Sequence, residues 1–123
     1  MTIATISKEF SFSASHQLVG LPEEHPCSRL HGHNYIIRVS ITGEVVTPGF
    51  VVDYRSLDPI KHYIDDTLDH RHLNEVLPGN PTAENMAAIL GKMVQDMLSH
   101  YTNVTTTAVS VSETPKTWAT VTL

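Results

Sequence analysis

The sequence holds one cysteine in 123 residues, so it can form no internal disulfide. A single thiol agrees with a reducing compartment and is left available for chemistry. Cations are also few. Eight Lys and Arg face thirteen Asp and Glu, giving a formal net charge of -5. Such a chain is a poor nucleic-acid binder by default, and an anionic ligand would need a local basic cluster. No apolar run approaches the roughly 20 residues of a membrane span, and the N-terminus lacks a charged-then-apolar signal pattern. These absences predict a cytoplasmic protein with neither nucleic acid nor membrane as partner. Low-complexity tracts, internal repeats and linkers are missing too. Residues 1–123 therefore read as one domain, with 41% hydrophobic residues to fill its core.

Histidine, by contrast, is abundant, with eight in the chain. Two of them lie in the stretch Cys27-Ser28-Arg29-Leu30-His31-Gly32-His33-Asn34-Tyr35. On a strand, period-2 geometry points His31 and His33 to one face. A catalytic zinc typically takes three protein ligands and keeps one position open. His16 is the best third ligand, because Phe10-Ser11-Phe12-Ser13-Ala14-Ser15-His16 alternates like a half-buried strand ending at that imidazole. If the two strands pair antiparallel, Phe10, Phe12 and Ala14 join Tyr35, Ile37, Val39 and Ile41 in one apolar strip. All three imidazoles then meet at one end of the hairpin. Cys27 lies on the connecting loop, free to face a metal without ligating it.

The remaining chain gives the architecture. Residues 3–16 and 31–44 read as strands joined by a long irregular connection with Gly20, Pro22 and Pro26 as breakers. Thr47-Pro48-Gly49 is a turn. Ser56 is the expected cap of a helix with the stripe Leu57, Ile60, Ile64 and Leu68. A second helix begins after Asn80 or Thr82, and its apolar face carries Ala83, Met86, Ala87, Leu90, Met93, Val94 and Met97. Residues 103–113 and 118–123 read as strands, with Glu113 ending the strip of Val109 and Val111. The order ββααββ predicts an α+β domain, a four-stranded antiparallel sheet with both helices on one face. Three further polar features stand out, each with an ordinary alternative. Asp69-His70 could simply end a helix, Glu113 a strand, and Cys27 could be a small buried hydrophobe.

Several motifs together resemble the 6-pyruvoyltetrahydropterin synthase superfamily, which includes the 6-carboxytetrahydropterin synthases of queuosine and 7-deazaguanine biosynthesis. They are Phe12-Ser13-Ala14-Ser15-His16, Cys27-x3-His31-Gly32-His33-Asn34-Tyr35, Val52-Asp53-Tyr54, Leu68-Asp69-His70-Arg71-His72-Leu73-Asn74, Pro81-Thr82-Ala83-Glu84-Asn85 and Ser112-Glu113-Thr114-Pro115. They follow the family's order and span nearly the whole chain.

The resemblance implies a tunnelling fold, in which the sheets of several subunits join into a barrel, as a hexamer or tetramer. It implies zinc on His16, His31 and His33, and 7,8-dihydroneopterin triphosphate as substrate. It implies Cys27, Asp69 and His70 as a catalytic triad, assembled in one version across a subunit boundary. Glu113 would accept the pterin's two parallel donors in bidentate fashion. Arg29, Arg71 and Lys116, which flank these motifs, are the expected triphosphate contacts. The short Cys27–His31 spacing is similar to the carboxy-forming branch. That branch yields 6-carboxy-5,6,7,8-tetrahydropterin, acetaldehyde and triphosphate. Triphosphate elimination to a pyruvoyl product, and a non-catalytic pterin- or zinc-binding subunit, are the alternatives. No role is expected for His72, and His25, His62 and His100 read as surface residues.

Overall fold

The computed structural model describes all residues, Met1–Leu123. Strands β1 (Ile3–His16) and β2 (His31–Glu44) form a long antiparallel hairpin with continuous pairing. Phe12 lies opposite Tyr35, Ala14 opposite His33 and His16 opposite His31. This is the register in which the two apolar strips merge. Strand β3 (Val104–Ser112) adds to β2, and β4 (Ala119–Thr122) adds to β3, giving the sheet order β1-β2-β3-β4.

One face of the sheet is covered by helices. Helix α1 (Asp58–Tyr63) follows a 3-10 turn over Tyr54–Leu57 and runs into a π-type turn over Ile64–Leu68. Helix α2 (Leu73–Val76) is a single turn, and α3 (Ala83–Met97) is the long helix. Phe10, Ile37, Val39, Val109 and Val111 from the sheet share one core with Leu57, Ile60, Ile64, Leu68, Met86, Leu90 and Val94. The apolar stripes expected at helical spacing are those that face inward.

Two local expectations need correction. Ser56 does not cap α1. The carboxylate of Asp53 accepts from the Arg55 amide at 2.9 Å and starts the helical segment one turn earlier, while the Ser56 hydroxyl pairs with that of Tyr101 at 3.1 Å. Either residue type suits an N-cap, and the one outside the first turn takes the role. The second difference is α2, too short to show a helical period. Helix α3 starts at the Thr82 cap, whose hydroxyl accepts from the Asn85 amide at 3.1 Å.

The opposite face of the sheet is lined with hydroxyls that pair across strands: Thr5 with Thr42, Ser7 with Ser40, Ser110 with Thr120. Arg38 joins Glu9 there and lies over the Trp118 ring. Gly43 sits at a bulge, where β3 approaches so closely that an added Cβ would fall 2.3 Å from the Asn103 carbonyl oxygen.

Candidate metal centre and active site

The hairpin register brings His16, His31 and His33 together at its open end. Their ligand-type nitrogens lie within 4.8 Å of one another. His16 is buried, whereas His31 and His33 are half-buried. The sequence-derived trio is thus one cluster, and its hydrogen bonds test whether a metal fits. Nδ1 of His16 lies 2.8 Å from the Pro81 carbonyl oxygen, with the Tyr35 hydroxyl at 3.2 Å. Nδ1 of His31 lies 2.7 Å from the Arg29 carbonyl oxygen. A carbonyl only accepts, so both Nδ1 atoms carry the proton and both Nε2 atoms present lone pairs. Those two Nε2 atoms face each other at 2.9 Å. Two lone pairs at that distance repel unless a cation lies between or beside them. Zinc bonds of about 2.0–2.1 Å in a tetrahedron place ligand nitrogens ~3.3 Å apart, close to this spacing. Anchoring the far ring nitrogen on a carbonyl is the usual support of a metal-bound imidazole. His33 supplies the third sign, because its Nε2 is buried and has no hydrogen-bond partner. The residues present fit a zinc ion.

Glu113 stands just beyond β3, with Oε2 3.6 Å from His33 Nε2. Burial lowers the His33 pKa; Glu113 opposes that shift, and the other two imidazoles reinforce it. His33 is therefore neutral near pH 7, and its approach to Glu113 is not an ion pair there. Neutral imidazole is the form that binds metal. Beneath them Tyr35 is fully buried and stacks on Phe12. Burial pushes its phenol pKa up, and the Glu113 charge acts in the same direction. A cavity of about 580 Å³ is lined by His33, Tyr35, Asp69, Glu113 and neighbours on β1 and β2. It joins three of the elements singled out in the sequence.

Asp69 and His70 leave the π-type turn, which is closed by the Asp69 amide donating to the Ile64 carbonyl at 2.8 Å. Such turns insert one extra residue and are frequent at functional sites. Here the insertion swings the chain onto the β1 edge. The Asp69 carboxylate accepts from the Ser13 amide at 3.0 Å and lies 3.0 Å from Nδ1 of the His70 ring. The Ser13 amide holds the Asp69 pKa below its ordinary value; burial opposes that shift, and the His70 ring adds to the lowering. His70 itself has a φ of 58°, in the left-handed region. A non-glycine residue there is uncommon, and such strain is found at functional positions. Its side chain is 83% exposed.

Cys27 is half-buried in a 3-10 turn over Pro26–Ser28. Its amide donates to Nδ1 of His25 at 3.0 Å. His25, read from sequence as a surface residue, thus caps the turn that carries the thiol. Within one chain no hydrogen bond links Cys27 to Asp69 or His70. The three basic residues are dispersed. Arg29 lines a cavity with Glu23 and Glu24. Arg71 lines one with His70 and His72 and reaches the Asp66 carbonyl at 3.3 Å. Lys116 is exposed in the β3–β4 connection.

Fold and site together define an α+β domain with three histidines placed to hold a metal ion. The family model described as 6-pyruvoyl tetrahydropterin synthase matches residues 5–123. The chain belongs to that family. It is 36% identical over 93 residues to 6-carboxy-5,6,7,8-tetrahydropterin synthase of Haemophilus influenzae, a match covering 72% of this chain and 63% of that one. It is 32% identical over 95 residues to dihydroneopterin monophosphate aldolase of Pyrococcus furiosus, covering 77% and 78% of the two chains. The solved structure of Caenorhabditis elegans 6-pyruvoyl tetrahydropterin synthase superimposes with a TM-score of 0.83 at 32% identity, covering 98% of this chain and 96% of that one.

Proposed function

We propose that this chain is a zinc-dependent lyase of queuosine and 7-deazaguanine biosynthesis. It would convert 7,8-dihydroneopterin triphosphate to 6-carboxy-5,6,7,8-tetrahydropterin, acetaldehyde and triphosphate, acting as a cytoplasmic homo-oligomer. The observation that carries the reading is the convergence of His16, His31 and His33 beside Glu113, at the end of a hairpin whose loop bears the only thiol. The similarity to the Haemophilus relative, by its name, supports the carboxy product over the pyruvoyl one.

Zinc on the three imidazoles would supply Lewis acidity toward a substrate side-chain oxygen. Cys27 is the base for a carbon-bound proton. His70, oriented by the Asp69 carboxylate, returns or relays protons. With His70 directed outward and unlinked to Cys27 of its own chain, the Asp69–His70 pair would complete the site of an adjoining subunit. Glu113 receives the two donors of the pterin edge. Arg29, Arg71 and Lys116 are the cations available to the phosphates.

A second reading has one observation in its favour. Arg29, nearest in sequence to the thiol, shares its cavity with Glu23 and Glu24. That surrounding is ill suited to a triphosphate and more tolerant of a singly phosphorylated substrate, like the one in the Pyrococcus relative's name. Product analysis separates these readings. The zinc-loaded protein is incubated with the triphosphate and, separately, with the monophosphate, with acetaldehyde trapping and mass spectrometry. Acetaldehyde with a six-carboxylated pterin from the triphosphate is the expected result. A pterin retaining all three side-chain carbons would make the chain a pyruvoyl-forming enzyme. Turnover of the monophosphate alone would make it an aldolase. Pterin binding without turnover would leave a binding subunit.

A further inference from the structure

The loop that carries Cys27 has no anchor in the core. No side chain from Gln17 to Leu30 is fully buried, and those from Val19 to Pro26 are all exposed. Packing therefore cannot set the position of the thiol, and hydrogen bonds must. Apart from the His31 ring on the Arg29 carbonyl, those that reach outside the loop come from one short stretch, Gln17 to Val19, which directly follows His16. The Leu18 amide donates to the Cys27 carbonyl at 2.9 Å, and the Gln17 side-chain amide donates to the Ser28 carbonyl at 2.8 Å. One edge of this stretch therefore holds the thiol turn.

The other edge is held by two asparagine side chains. Asn74 accepts from the Gln17 amide at 2.9 Å and donates to the Gln17 carbonyl at 2.7 Å. Asn80 accepts from the Val19 amide at 2.9 Å and donates to the Val19 carbonyl at 2.7 Å. In an extended chain, residues i and i+2 present their backbone groups to one side and residue i+1 to the other. A primary amide carries the same donor and acceptor pair as a peptide group. Asn74 and Asn80 thus act as a two-rung strand made of side chains, and Leu18 is left facing Cys27.

Both asparagines stand on fixed supports. Asn74 belongs to α2, whose Leu73 is fully buried. The Asn80 carbonyl accepts from the Asn85 side chain at 2.8 Å, within the first turn of α3. The residue after Asn80 is Pro81, whose carbonyl orients the His16 ring. One turn therefore serves both the metal ligand and the thiol loop.

We infer that Asn74 and Asn80 are positioning residues that set Cys27 against the metal site through the Gln17–Val19 stretch. The inference rests on the reading of Cys27 as the base. Its test includes a readout that does not depend on catalysis. Because the chain has one cysteine, the mass shift on iodoacetamide treatment reports Cys27 alone. The zinc-loaded parent, the single Asn→Ala variants and the Asn74→Ala/Asn80→Ala pair are compared. Thiol alkylation rate, zinc content, thermal midpoint, and kcat and KM for dihydroneopterin triphosphate are measured.

In the pair, alkylation should accelerate at least fivefold and kcat should fall at least tenfold. KM should stay within twofold and zinc at one per chain. An alkylation rate within twofold of the parent, or below it, overturns the inference. So does a kcat loss matched by loss of zinc, which would make the asparagines supports of the fold alone. If the pair does not fold, Asn74→Asp, which keeps the acceptor for the Gln17 amide and loses the donor, is judged by the same criteria. Cys27→Ala separates the two readings. Full turnover by that variant removes Cys27 as the base, whereas the alkylation result still decides whether the clamp places the thiol.

Discussion

His31 binds the Arg29 carbonyl through one ring nitrogen and turns the other toward His16. His31→Ala removes one of the three proposed ligands without touching the core. It should lose zinc, read by elemental analysis, and reduce turnover by about 10²-fold or more, with an unchanged circular dichroism spectrum. Full zinc occupancy would refute the ligand assignment. Asp69 gives a pH prediction with a definite sign. Its folded pKa lies below the ordinary 3.8. Its contribution to stability is therefore complete above that ordinary value and is lost as pH falls through the folded one. The difference in urea midpoint between parent and Asp69→Asn should be largest near neutrality and shrink below about pH 4. An equal difference at neutral and strongly acid pH would remove the carboxylate as its cause. The clustering of the three imidazoles was legible in the sequence, because period-2 alternation on two strands fixes their common face. His25, Asn74, Asn80 and the Pro81 carbonyl were not. The contacts of Asn74, Asn80 and Pro81 cross 57 to 65 positions of sequence and leave no periodic trace, and His25 acts by a side-chain cap within a loop.

The strands were the most readable elements. Both members of the hairpin end where the alternation of apolar and polar residues ends. Helical starts were less so, because Asp53 and Ser56 are both good caps and only the fold chooses between them. The π-type turn that delivers Asp69 closes on a hydrogen bond to a carbonyl five residues back, which no residue type announces. Gly43 shows a different kind of constraint. Its neighbour is backbone and has little freedom to retreat. Gly43→Ala should therefore cost about 1–3 kcal/mol by overpacking, measured as a lower denaturation midpoint. Gly20→Ala provides a contrast, since its cost comes from a positive φ of 86° with no neighbour within 4 Å. Equal stability of Gly43→Ala and parent would mean that the bulge relaxes away from the added methyl.

At the scale of the molecule, the sheet has two terminal strands, β1 and β4. Residues 69–72 cover the β1 edge only at Ser13 and Ser15. Ser7 has the same parity, so its backbone groups face the same edge, beyond that cover. An open edge of this kind invites pairing with another chain. Ser7→Pro removes an outward amide while sparing the ladder to β2. In light scattering after size exclusion, it should shift the proposed hexamer or tetramer toward smaller species. An unchanged mass would place the assembly contact elsewhere. The hairpin also has a consequence in time. All three imidazoles are made within the first 33 residues, but the carbonyl that orients His16 belongs to Pro81, and the carboxylate beside His33 to Glu113. At ribosomal speeds of about 5–20 residues per second, the nascent chain carries its nitrogen donors for roughly 4–16 s before Glu113 is added. The nitrogen donors are thus synthesised first, and the groups that orient and flank them last.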